Sequence, residues 1–273
     1  MARLDVEWLA FSAGLKPAVR RTADPARADE IVARFAREGA VVLRASRTAV
    51  LGGREQVVLY AARSHDLAAA LRDAESSVLP GHAPEGDALA AHRAVGNALG
   101  FPACCVEAFC ARLVRGVDRL VDGGLGGYAE DYVASRAAWV SAPDARVNPL
   151  LMRAGAQLVS FYPCRFDCPR AVSLAESVRA VVAARDAGAA RALMATLSRA
   201  VVVASDGARA QVVVEGATVA RAAAPTREGV ADPRDVALAG ALVGVAVRED
   251  GAVRGMDPVR GEPGWCVRFD ARA

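Results

Sequence analysis

Five of the six cysteines in this 273-residue chain fall in two short stretches: LGFPACCVEAFC, with Cys104, Cys105 and Cys110, and FYPCRFDCPRA, with Cys164 and Cys168. Thiolates act as nucleophiles, redox couples and soft metal ligands, so such clusters point to a metal or redox site. In both stretches a proline marks a helix start, Pro102 ahead of Cys104 and Cys105 and Pro169 just after Cys168. Exposed N–H groups and the positive end of a helix dipole favour a thiolate over a thiol. The same placement suits an anionic iron–sulfur cluster or a zinc thiolate.

Spacing narrows the choice. A C-x-x-x-C pair is not the C-x-x-C of zinc ribbons and knuckles, and Ala171 stands where a C-x-x-x-C-x-x-C radical-enzyme motif needs its third cysteine. Three thiolates around a four-iron cluster leave one iron open, whereas four close the site. Because adjacent cysteines crowd one ion, the reading takes Cys105, Cys164 and Cys168 as metal ligands with Cys104 supporting. His92, one helix earlier, is the candidate fourth ligand or general acid, weighed against an ordinary solvated helix histidine. The expected cofactor is an iron–sulfur cluster, with zinc as the alternative. Cys110 and Cys266 lie in apolar patterns and read as core fillers. Glu107 and Asp167 are the acids nearest the sulfurs in sequence; either can serve as general acid or base, though surface exposure is the default. His65 and His82 carry no signal. The glycine-rich DGGLGGYAEDY, Asp122–Tyr132, lacks the features of a dinucleotide fingerprint or a P-loop and reads as a loop. No G-x-S-x-G elbow occurs.

The elements that position these residues give an α+β (mixed) class, a cysteine-bearing helical middle flanked by small α/β segments. Residues 1–80 read as a small α/β subdomain. Its helix is Pro25–Glu38, capped by Asp24; its strands are AVVLRAS and EQVVLYAAR, joined at Gly52-Gly53; a second helix starts near Ser64. LPGHAPEGD, Leu79–Asp87, is the best linker. Residues 81–199 form the helical cysteine-motif domain, with helices expected at Asp87–Leu99, Pro102–Arg115, Tyr128–Val140, Pro149–Ser160, Pro169–Asp186 and Gly188–Arg199. Residues 200–273 form a β-rich segment with one helix. It has an Asp206-Gly207 two-residue hairpin turn, a helix from Pro233 to about Ala246, and closing strands in AVRGMD and GWCVRFDAR.

Composition bounds the partners. A 273-residue chain can bury one large core or two small ones. Of the 34 Lys and Arg residues only Lys16 is lysine, which looks like the imprint of a GC-rich genome, and a net charge of +3 gives no basic stripe, so nucleic-acid binding is unsupported. Asp5 and Glu7 stand where the apolar region of a signal peptide would lie, and the longest apolar run, Val236–Val247, is too short to span a bilayer. A cytoplasmic protein is expected, with no membrane partner. In a reducing compartment clustered cysteines favour metal or catalytic roles over disulfides.

The residues LGFPACCVEAF and FYPCRFDC resemble an uncharacterised prokaryotic domain family of unknown function. That family is marked by a glycine-aromatic-proline-x-Cys-Cys-Val motif followed by an aromatic-proline-Cys-x-aromatic-x-Cys motif. The resemblance covers about Asp87–Val181. It implies that Cys104, Cys105, Cys164 and Cys168 are signature positions, and it brings no activity with it. The sequence thus leads to a metal-site protein, with redox or sulfur chemistry on a small molecule or nucleoside as its expected use. The other readings are a non-enzymatic module stapled by structural zinc or a disulfide, and a metal-free CxxxC thiol oxidoreductase.

Overall fold

A computed structural model describes residues 5–45, 48–51, 54–78, 88–114, 132–133, 138–204, 207–227, 230–253 and 264–269. The fold is mixed α+β, as the sequence predicts. The chain divides into two compact units, Met1–Gly124 and Leu125–Ala273. The Leu79–Asp87 linker, Gly52, Gly53, His82 and most of DGGLGGYAEDY lie outside the described residues.

In the first unit, α1 (Val6–Ser12) is capped by Asp5 and α2 (Pro25–Arg37) by Asp24, with Pro25 opening the helix. Four antiparallel strands, β1 (Ala18–Ala23), β2 (Val41–Arg44), β3 (Ala49–Leu51) and β4 (Arg54–Ala62), form the sheet, in which β1, β2 and β3 all pair with β4. The helix α1 and strand β1 were not foreseen; Arg20 and Arg21 interrupt the β-branched density by which β2 and β4 are read. Strand β4 reads as a near-continuous apolar run because both its faces are covered. Val58, Tyr60 and Ala62 pack with Ala68 and Leu71 of α3 (His65–Ser76) and with Leu99, while Ala61 joins Trp8, Phe11 and Phe35. Helices α4 (Ala88–Ala98) and α5 (Ala103–Val114) follow, within a residue or two of expectation.

In the second unit, residues 138–168 are mostly irregular. The expected helix at Pro149–Ser160 is replaced by one 3-10 turn, Met152–Ala154. Its apolar residues supply the reason: Leu150, Leu151, Leu158 and Val159 are all buried and lie on no single helical stripe. Asn148 accepts from the Leu150 N–H (3.0 Å), and Gly155 leaves the turn in a left-handed conformation (φ 69°). Of the expected Tyr128–Val140 helix, Ala138–Val140 are not helical, and much of the rest lies outside the described residues. Helices α6 (Pro169–Arg185) and α7 (Ala187–Leu197) agree with the sequence. An antiparallel sheet runs in the order β10 (Ala252–Val253), β11 (Gly264–Val267), β5 (Ala200–Val203), β6 (Arg209–Glu215), β7 (Thr218–Ala223). A small ribbon pairs β8 (Thr226–Arg227) with β9 (Val230–Ala231). In the β5–β6 hairpin the Ala204 N–H donates to Ala208 O (2.9 Å), and the expected Asp206-Gly207 turn lies partly outside the described residues. Gly207 is left-handed (φ 83°), and Asp206 lies outside the described residues. Helix α8 (Pro233–Leu242) stops short of Ala246 because Gly244 turns the chain back to β7, its N–H donating to Val219 O (2.9 Å).

Candidate metal centre

Two residues beyond α4 stands Gly100, whose φ of 74° only glycine adopts readily; a Cβ there would also meet Pro17 Cδ at 2.5 Å. The chain then turns through Phe101, and Pro102 O accepts from the N–H groups of Cys105 (2.8 Å) and Val106 (3.1 Å). Cys104 and Cys105 therefore occupy the first turn of α5, Cys105 buried and Cys104 half-buried, with their Sγ atoms 4.0 Å apart. The Lys16 ammonium, ion-paired with Glu7, lies 5.3 Å from the centre of the Phe101 ring and fixes the approach to this turn.

The second pair sits in an aromatic cradle. Phe166, fully buried between the two cysteines, meets Tyr132, Trp139 and Phe269 edge-on, with centroids 5.3, 6.5 and 5.4 Å away. The Tyr132 hydroxyl donates to Pro163 O (2.8 Å). Cys168 is the N-cap residue of α6 and makes no side-chain capping bond, so its sulfur is not used on the helix's own N–H groups. Above the loop, Arg165 and Asp167 form a two-bond ion pair at 2.7 and 2.8 Å. Asp167, followed by Cys164 and Cys168, raises the Arg165 pKa.

The ligand atoms of Cys104, Cys105, Cys164 and Cys168 all lie within 4.8 Å of one another. The four can hold a metal ion. Cys105 and Cys168 are the buried members, Cys104 and Cys164 the half-buried ones. Cys104, expected only to support, stands in the group equally with the rest. His92 does not join it. Its ring packs edge-on against Phe109 (centroids 5.3 Å), and burial lowers its pKa while Glu75 opposes the shift. Glu107 and Asp167 are also outside the group; Glu107 is exposed and ion-paired with Arg93 (2.9 Å). Cys110 and Cys266 are core residues, 1% and 2% exposed. Burial pushes the Cys266 thiol up to about 11, partly offset by Arg268.

These features define an α+β protein with a four-cysteine, metal-type site. No family model, curated protein or solved structure matches the chain. Among the described residues no helix is long and apolar enough to cross a membrane.

Proposed function

We propose that the chain binds one metal ion through Cys104, Cys105, Cys164 and Cys168, and that the ion is zinc. The compactness of the sulfur group carries this reading. Tetrahedral Zn–S bonds of about 2.3 Å place the sulfurs about 3.8 Å apart, close to the 4.0 Å between Cys104 and Cys105 and inside the 4.8 Å limit of the whole group. In an iron–sulfur cluster the cysteines divide among different irons, so some of the sulfurs must stand farther apart than around a single ion. The sulfur spacing therefore favours zinc over the cluster expected from sequence. Four thiolates also close the coordination shell, which is the arrangement of structural rather than catalytic zinc. The ion's role is to join the Pro102 turn to the Cys164–Cys168 loop. The resemblance to the cysteine-motif family agrees with this, since its signature positions are the same four residues.

The test is metal analysis of anaerobically purified protein together with its visible spectrum. One zinc per chain and no absorption band from sulfur-to-iron charge transfer are expected. Several irons per chain with acid-labile sulfide would overturn the zinc reading in favour of a cluster, and metal-free protein would overturn metal binding altogether.

A further inference from the structure

The second unit contains a cleft of about 690 Å³ that the metal centre does not use. That volume lies within the range of small-molecule sites, about 300–1,000 Å³. One wall is the segment from Trp139 to Pro143; the other is the turn Arg248–Gly251 together with Cys266 of β11 and Arg268 just after it.

Both walls are fixed by the backbone. The first is tied at its two ends to one residue of the cysteine loop: the Phe166 N–H donates to Ala138 O (2.8 Å), and the Asp144 N–H donates to Phe166 O (2.7 Å). In the second, the Gly251 N–H donates to Arg248 O (2.9 Å), and Gly251 O accepts from the Cys266 N–H (2.8 Å). Trp139 is locked between them. Its indole N–H donates to Val133 O (2.9 Å), and its ring lies so close to Gly251 that a Cβ there would meet Cη2 and Cζ3 at 2.8 Å. The ring nevertheless stays half-exposed in the cleft. A rigid, partly open indole is a platform for a flat ligand.

The charges around it are specific. Arg248 lies 3.7 Å from Asp250, which offsets it. Arg268 and Glu249 are exposed and form no ion pair among the described residues. The cleft therefore offers an aromatic surface, the Arg268 guanidinium, which bears on the Cys266 thiol but forms no ion pair among the described residues, and the Glu249 carboxylate, which likewise forms none among them. A guanidinium matches phosphate in charge and fork geometry. A carboxylate accepts from the exocyclic amino group of a base.

We propose that this cleft binds a nucleoside phosphate whose base carries an exocyclic amino group. The base packs on Trp139, its amino group donates to Glu249, and the phosphate pairs with Arg268. Such a ligand exists free or as a residue of a single strand, and the two sources share this chemistry. The inference rests on the metal reading only in that the cysteine loop, through Phe166, supports one wall.

The experiment is isothermal titration of the full chain with CMP, AMP, cytidine, inorganic phosphate and a five-nucleotide RNA, with metal content measured on the same samples. Saturable binding of one nucleoside monophosphate per chain is expected, with cytidine at least tenfold weaker than CMP. Arg268→Gln, a surface change, should bring CMP down to the level of cytidine. Trp139→Ala should weaken both at least tenfold. RNA at least tenfold tighter than CMP identifies a strand as the source; otherwise the source is the free nucleotide. No saturable binding of any probe, or binding that Arg268→Gln leaves unchanged, overturns the proposal. Metal-free protein that still binds CMP through Trp139 and Arg268 overturns the metal reading and leaves the cleft standing.

Discussion

Gly96→Ala tests whether close packing of two helices holds the first pair of sulfurs in place. Gly96 is in α4, and a Cβ there would meet Val106 Cγ2 at 2.7 Å and Cγ1 at 3.2 Å. Val106 follows Cys105 directly and is buried. Ordinary contact begins at 3.4 Å, so the helices must separate by 3.4 − 2.7 = 0.7 Å along that line, because a β-branched valine in a helix has little rotamer freedom with which to yield. Overpacking of this kind costs about 1–3 kcal/mol, against about 1 kcal/mol gained from alanine's helix propensity. The net expectation is a loss of up to about 2 kcal/mol. At about 4–8 °C per kcal/mol for a small unit, the thermal midpoint should fall by several degrees. Metal affinity should fall with it, since ligand positions are held to about 0.2 Å in a working site. The assay is thermal unfolding by circular dichroism together with competitive zinc titration against a chromogenic chelator. Gly96→Ala/Val106→Ala should recover zinc affinity, because removing the two methyl groups removes the clash. A Gly96→Ala protein as stable as the parent and with the same zinc affinity would refute the claim that this contact positions Cys105.

Replacing Cys168 or Cys104 with serine should abolish stoichiometric zinc and lower the thermal midpoint, whereas Cys110→Ala should leave the metal in place and cost about 1 kcal/mol of packing; metal analysis separates the two outcomes. Cys266 makes the protein sensitive to alkali. Its thiol is pushed from 9.0 to about 11, so the unfolded chain loses that proton first, and stability present below pH 9 declines as the pH rises through 11, by about 2–3 kcal/mol in all. Urea unfolding at pH 8 and pH 10.5 should show this decline, and Cys266→Ala should flatten it. His92 acts at the opposite end. Because burial lowers its pKa, its contribution is present above pH 6.5 and is lost as the pH falls through the lowered folded value, so His92→Phe should be less acid-sensitive in the same assay.

The cysteine motifs were legible because chemistry and capping coincide in them. Prolines announced the starts of α5 and α6, and the sulfurs stood beside those starts in sequence. The hairpin strands and Asp-capped helices were likewise written in local patterns, as with Asp24-Pro25 and Asp232-Pro233. The irregular stretch 138–168 was not, since Leu150, Leu151, Leu158 and Val159 are buried by tertiary contacts that follow no period. Nearness along the chain to Cys104 does not convey that the His92 ring packs edge-on against Phe109. Crowding of adjacent cysteines is a general tendency, whereas the first turn of α5 sets the sulfurs of Cys104 and Cys105 4.0 Å apart. The cleft at Trp139 could not be seen at all: Arg248 and Arg268 reach it from segments about a hundred residues further along, and neither carries a local signature.

Lys16 is the sole lysine of the chain, and only 5% of its surface is exposed. Its ammonium is ion-paired with Glu7 and lies over Phe101, one residue before Pro102. For reagents that seek amines, the folded protein therefore presents almost no ε-amino target. Acylation of Lys16 requires that the ground beneath the Cys104–Cys105 turn open first. Mass-resolved labelling at this one position thus gives a built-in clock for local unfolding there, with no engineered probe and no competing lysine to correct for.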